Sequence, residues 1–435
     1  MRYTLIIIYL FIGSFVWCAP ISREDSLLLK YKASKVDTDK FNIAIKLYNN
    51  KVRKGDYVPA KSFADTLLKL GKAIENQKFL SLAYQYRGNF YYKTNKFDSA
   101  QYYDYKGIET AEKVQYYPTL VKCYVNLGNI CHQRADYPKA LIAFQNAEQY
   151  SIKGKDTLAR IIIKLNQGNV YYEINDYKQA RENFSKVVKI CSGLPQFKHE
   201  LASGYNNLAT VYLNDTPKRL DSAMYYYMQF LDLSKQLGSE SNLALAYYNI
   251  AEVYRLTGKV KEARENYFKS RDIYTSEEDT LGLMKVCLGL GDNYVLENNP
   301  VEGLTILKQG LKYSNEYKMV SNKANFLKSI SSAYYKMGNY KEAFDYFHEG
   351  SLLSDSIYNA DNSKILYDLQ TRYETTEKEK QNKLLEAENT ISHKTIRQQQ
   401  LVTYFIIGGL LLALAFAFFI FRGLRQQRKA NVIIS

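Results

Sequence analysis

Asparagine recurs in this sequence at a spacing that could do chemistry. Asn89, Asn129 and Asn169 stand 40 residues apart, and Asn126, Asn166, Asn207 and Asn249 form a second series at steps of 40, 41 and 42. A carboxamide both donates and accepts, so a row of them can satisfy the backbone of an extended segment whatever its side chains. Tyr92, His132 and Tyr172, three residues beyond the first series, would add apolar walls, as would Tyr335 further on. The competing use of the same amides is structural: bonded to one another or to the adjoining helix, they would fix the angle at which neighbouring helices stack.

Catalytic chemistry finds no foothold. His132, His199, His348 and His393 are far apart and lack metal-ligand spacing, and no phosphate loop or nucleophile motif occurs. The chain is therefore expected not to be an enzyme and to need no cofactor or metal. Cys123 and Cys131 lie eight residues apart on one expected helix, about 12 Å, too far to bridge. They read as small buried apolar residues, and the roles of Cys191 and Cys287 stay open. A net charge of +15 invites a nucleic-acid reading, but the 59 Lys and Arg are interleaved with 44 Asp and Glu along the chain, with no basic reading helix. No nucleic-acid partner is expected for this chain.

The elements that must position the amides follow from a repeat. Gly88, Gly128, Gly168, Ala209, Ala251, Gly291 and Ser331 recur at steps of 40 to 42, and a second small residue follows each, Ala100, Ala140, Ala180, Ala223, Ala263, Gly303 and Ala343. Ala223 is displaced by an insert around Asp215-Thr216-Pro217. Two registered small positions per unit require two closely packed helices. The large residues in register with them, such as Tyr91, Tyr171, Phe144, Phe184 and Tyr227, fill the space that the small ones open.

Residues Asn126 to Ala147 resemble a tetratricopeptide repeat (TPR), a helical hairpin that stacks into a solenoid. The family's period is 34 residues, so a step of 40 implies helices or turns lengthened by about six residues per unit. The resemblance implies an all-α solenoid of about seven to eight hairpins over residues 41–357, after an N-terminal linker or cap at 20–40. It also implies a concave surface lined by the first helices, where in peptide-binding members amides on neighbouring units work in pairs. The matching pairs here are Asn89 with Asn126, Asn129 with Asn166, and Asn169 with Asn207. The basic positions with which some members grip a terminal carboxylate are missing, since Gln85, Val125 and Leu165 stand there. An internal or extended segment is the better match for the ligand.

Two apolar stretches suggest a membrane topology. Residues 1–19 have the order of a secretory signal peptide, with Cys18 a candidate for lipidation. Residues 401–421 are uncharged and at about 1.5 Å each would span about 30 Å, the length of a transmembrane helix. Arg422, Arg425, Arg428 and Lys429 follow, which would place the short basic tail, 422–435, in the cytoplasm and the repeats outside the inner membrane. Residues 358–400 read as a charged helical stalk with a broken heptad seam that could pair two copies as a coiled coil, helped by Gly409, Ala413 and Ala417. This order resembles the sensor half of bacterial membrane-bound TPR regulators, whose output is a histidine kinase or a helix-turn-helix. The resemblance implies the sensory part of a signalling system that binds a protein or peptide. The alternative is an envelope scaffold or assembly factor that passes no signal.

Overall fold

The structure is a computed structural model, and it describes residues 23–355 and, in a second unit, 378–379, 381–407, 410, 420 and 423. In the first unit α1 (Arg23–Ala33) precedes eight antiparallel hairpins. These pair α2 (Asp37–Arg53) with α3 (Tyr57–Ala73), α4 (Gln77–Lys93) with α5 (Phe97–Glu112), α6 (Tyr117–Gln133) with α7 (Tyr137–Lys153), and α8 (Thr157–Glu173) with α9 (Tyr177–Cys191). The remaining four pair α10 (Lys198–Asn214) with α11 (Leu220–Leu237), α12 (Glu240–Leu256) with α13 (Val260–Ser276), α14 (Thr280–Leu296) with α15 (Pro300–Glu316), and α16 (Val320–Lys336) with α17 (Tyr340–Asp355).

The 40-residue step arises because the typical helix has 17 residues and the typical turn three. In each regular turn the middle residue takes a left-handed conformation, as at Asn95, Ala135, Lys155, Asn175 and Gly258. That conformation lets the next N–H reach back five residues and close the helix: Asp136 donates to Cys131 O at 2.8 Å and Asp156 to Ser151 O at 2.9 Å. The same aspartates then open the following helix, because the Asp136, Asp156 and Asp176 carboxylates accept from the N–H groups of Lys139, Ala159 and Gln179. One residue thus ends one helix and begins the next, which leaves no slack between them.

Small residues set how closely the two helices of a hairpin approach. A Cβ on Gly128 would lie 2.5 Å from Phe144, one on Gly168 2.5 Å from Phe184, and one on Gly291 2.5 Å from Leu307. Phe144, Phe184 and Leu307 are fully buried by this arrangement. Many of the tyrosines serve the same packing: Tyr91 stacks on Tyr103, Tyr212 on Tyr226 and Tyr334 on Tyr346, in one register of three different hairpins. Arg87, Arg219 and Lys308 cover the outer faces of Tyr91, Tyr212 and Tyr334.

First helices also touch first helices across unit boundaries, α4 with α6, α6 with α8, α8 with α10, α12 with α14 and α14 with α16. This places them on the inner side of a curved stack. Between α9 and α11 the strict register slips, with a 3-10 turn at Pro195–Phe197 and an irregular segment that Arg181 holds by a 2.7 Å bond to Asp215. Among the described residues the cysteines, Cys123, Cys131, Cys191 and Cys287, are buried and unbridged. Burial pushes the Cys191 and Cys287 thiols up to about 11, so both act as small apolar fillers and are poor nucleophiles.

The expected transmembrane helix is corrected. Among the described residues no helix is long and apolar enough to cross a membrane. Of the apolar run at 401–421, Leu401 to Ile407, Leu410 and Ile420 are described and helical, and the rest of the run lies outside the described residues. Membrane integration, the coiled coil and the homodimer therefore gain no support. The signal peptide at 1–19, the small-residue stripe from Gly409 to Ala417 and the tail at 422–435 lie outside the described residues, apart from Gly423.

Candidate binding groove

The inner face of α4 to α12 carries the asparagines. Asn166 donates to Asn129 at 3.1 Å and Asn207 to Asn169 at 3.2 Å, each bond joining the first helices of adjacent units. Asn206 donates to Asn207 at 3.2 Å and receives from Asn249 at 2.8 Å, which carries the chain of amides on to α12. Apart from the buried Asn126, the singled-out asparagines are half-buried, with one edge on the groove. The pairing expected for Asn89 and Asn126 takes another form. Asn89 accepts from the Tyr48 hydroxyl at 2.8 Å, and Asn126 donates to Asp104 at 3.5 Å.

Two cavities open between these helices. One of about 350 Å³ lies between α4, α6 and α8 and is bordered by Gln85, Tyr86, Asn89, Lys122, Asn126 and Asp156. The other, about 270 Å³, is ringed by Asn166, Asn169, Asn206, Asn207 and Asn242 around Phe230. All seven asparagines singled out in the sequence thus either border a cavity or bond to a residue that does: Asn126 and Asn89 the first, Asn166, Asn169 and Asn207 the second, and Asn249 through Asn206. Asn129 joins them through Asn166. A carboxamide holding one neighbour still has donor or acceptor capacity to offer a ligand.

Tyr92, His132 and Tyr172 do not border either cavity. Each packs against the aromatic residue that opens its partner helix, Tyr92 on Phe97, His132 on Tyr137 and Tyr172 on Tyr177, and so closes the hairpin corner. Their polar atoms are engaged across units: Gln133 donates to Tyr92 at 3.2 Å and Asn214 to Tyr172 at 3.0 Å. Burial lowers the His132 pKa, which favours a neutral ring at the corner.

Several groove residues were not singled out in the sequence. Asn206 and Asn242 fall outside the two 40-residue series, and Tyr48 lies a full unit before the first asparagine. Asp104 is the largest omission. It stands four residues after Ala100, where the other hairpins place Phe144, Phe184, Tyr227, Tyr267 or Leu307, and it packs on Gly88 as Phe144 packs on Gly128. Fully buried, with Asn126 and Cys123 as its hydrogen-bonding partners, its carboxyl is held well above the ordinary range by desolvation. The absence of a large apolar residue at that register position was the available signal. Further along, the groove changes character: Arg255, Asp292 and Lys328 border a third cavity of about 300 Å³, with Glu252 bonded to Arg255 at 2.6 Å.

Among the described residues no group of three or more His, Cys, Asp or Glu is placed to hold a metal ion. Fold and groove together define a TPR-type α-solenoid with an amide-lined inner face. Residues 163–193 and 244–270, on α8–α9 and α12–α13, match the tetratricopeptide repeat family model, and the chain carries such repeats. Protein KINESIN LIGHT CHAIN-RELATED 2 of Arabidopsis thaliana is 24% identical over 178 residues, 40% of this chain and 26% of that protein. The chain thus spans about a quarter of the length of this curated relative. Among solved structures, the apo form of the quorum sensor NprR from B. thuringiensis superposes with a TM-score of 0.61 at 16% identity, covering 76% of this chain and 92% of that one. A Rap protein complexed with competence and sporulation factor gives 0.52 at 13% identity, covering 77% and 98%. At these identities the likeness to the solved structures is one of fold.

Proposed function

We propose that the chain is a binding protein, not a catalyst, and that it takes a peptide or protein segment in extended form along the first helices from α4 to α12. The observation that carries this reading is two sets of bonded, half-buried amides, Asn129 with Asn166 and Asn169 through Asn207 and Asn206 to Asn249, of which Asn166, Asn169, Asn206 and Asn207 border a cavity where a segment could lie. Carboxamides held edge-on by their neighbours are pre-oriented, so they can pair with a strand's N–H and C=O groups at little further cost in side-chain entropy. Structural relatives of the same fold lend support, one being a quorum sensor and another having been solved with competence and sporulation factor bound. A sensory role in signalling fits that company. The direct test is capture of the full chain on an array of random linear peptides. Retention by a subset, lost in Asn166→Ala/Asn207→Ala, supports the reading, and retention by none, or by the same subset in the variant, overturns it.

A further inference from the structure

The cavity between α4, α6 and α8 is chemically unlike the amide ring farther along. Gln85 is only 4% exposed, and its Oε1 is buried without a hydrogen-bond partner. Behind Asn126, the fully buried Asp104 has a second oxygen, Oδ2, in the same condition. Gln85 Oε1 is an acceptor, and Asp104 Oδ2 is one whenever that carboxyl is ionised. Leaving a buried acceptor unsatisfied is costly, and a donor arriving in the cavity would remove that cost. The Asp156 carboxylate borders the same space, and so does the ring of Tyr86. The chain's own Lys122 already holds its ammonium 5.8 Å from the centre of that ring, so the ring's face accommodates a cation.

We propose that this cavity is a subsite for a cationic side chain, a guanidinium or an ammonium, carried by the bound segment. The inference rests on the peptide-binding reading above and adds a side-chain preference to a backbone-reading groove. A guanidinium offers five donors and no acceptor, which matches a cavity whose spare capacity is for accepting. Gln85 Oε1 and Asp156 receive the donors, Tyr86 supplies a face in place of Lys122, and Asp104 contributes from one layer below through Asn126. The charged groups facing the cavity are Lys122 and Asp156 at its border, with Asp104 beneath. Lys122 is exposed and free to swing toward solvent when the ligand's cation arrives.

The test uses the full chain and five hexapeptides of one alanine-glycine sequence, with arginine, lysine, citrulline, norleucine or glutamate at a central position, titrated by fluorescence anisotropy. Arginine is expected to bind at least about tenfold more tightly than citrulline, its neutral isostere, as charge-assisted hydrogen bonds allow. Asp104→Asn is expected to shrink that ratio, Gln85→Glu to enlarge it, and Lys122→Met to tighten the arginine peptide several-fold by vacating the Tyr86 face. These substitutions are near-isosteric or on an exposed residue, and thermal melts establish that each variant is folded. Equal binding of arginine, citrulline and norleucine peptides overturns the cationic subsite while leaving the groove standing. A ratio that none of the three substitutions moves also overturns it. Failure of all five peptides to bind overturns the groove reading, and the subsite with it.

Discussion

Asn166 on α8 donates to Asn129 on α6 at 3.1 Å, so the amides of neighbouring hairpins bond directly to each other on the groove face. The bond gives the asparagines two roles at once. They fasten one repeat to the next, and they hold each carboxamide at a fixed orientation with an edge on the groove. A double-mutant cycle with Asn129→Ala and Asn166→Ala should therefore show a coupling of about 0.5–1.5 kcal/mol in denaturant unfolding. Additive losses would show that the two amides do not support each other.

Gly128 faces the ring of Phe144 so closely that a single methyl has no room. Gly128→Ala is expected to destabilise the solenoid by about 1–3 kcal/mol despite alanine's better helix propensity. Adding Phe144→Leu should recover part of the loss. Urea unfolding of the two variants decides it, and a stabilised Gly128→Ala chain would contradict the close approach.

Ala135 sits in a turn with φ of 55°, where a Cβ is strained and glycine is not. Ala135→Gly should raise stability by about 1 kcal/mol, since the αL penalty of about 1–2 kcal/mol outweighs glycine's larger unfolded-state entropy. Calorimetric melting of the variant is the check, and a lower melting temperature would count against the turn geometry.

Asp104 gives the chain a pH dependence of defined sign. Its folded-state pKa is raised by burial, so unfolding releases a proton, and its contribution is most favourable below the ordinary aspartate value of about 3.9. That contribution is lost progressively as pH rises from there toward the raised folded value. Asp104→Asn, which cannot ionise, should melt higher than the parent near pH 7, by the equivalent of about 1–3 kcal/mol, and converge with it near pH 3. An unchanged difference across that range would place Asp104 in contact with water.

Much of this was legible in the chain itself. The 40-residue recurrence from Gly88 to Ser331 located the hairpins, because a close helix approach tolerates only small residues and so leaves a periodic mark. The pairs Asn129 with Asn166 and Asn169 with Asn207 were readable for the same reason: adjacent first helices repeat in register. Asn89 and Asn126 parted because Asp104 occupies an apolar slot and draws Asn126 inward, an exception that a periodic reading smooths over. Tyr92, His132 and Tyr172 turned to the hairpin corner because three-residue turns bring Phe97, Tyr137 and Tyr177 within stacking distance, which residue spacing alone does not reveal. The apolar run at 401–421 did not translate into a span, since among the described residues no helix is long and apolar enough to cross a membrane.

The most direct test of the amide groove is to take a peptide captured by the full chain and methylate its backbone nitrogens one at a time, measuring each affinity by anisotropy. A segment read through its backbone should lose about tenfold or more at alternate positions, while replacing side chains away from the cationic subsite changes little. Tolerance of every methylation, with affinity set by side chains alone, would contradict the reading of Asn129 to Asn249 as a backbone-binding surface.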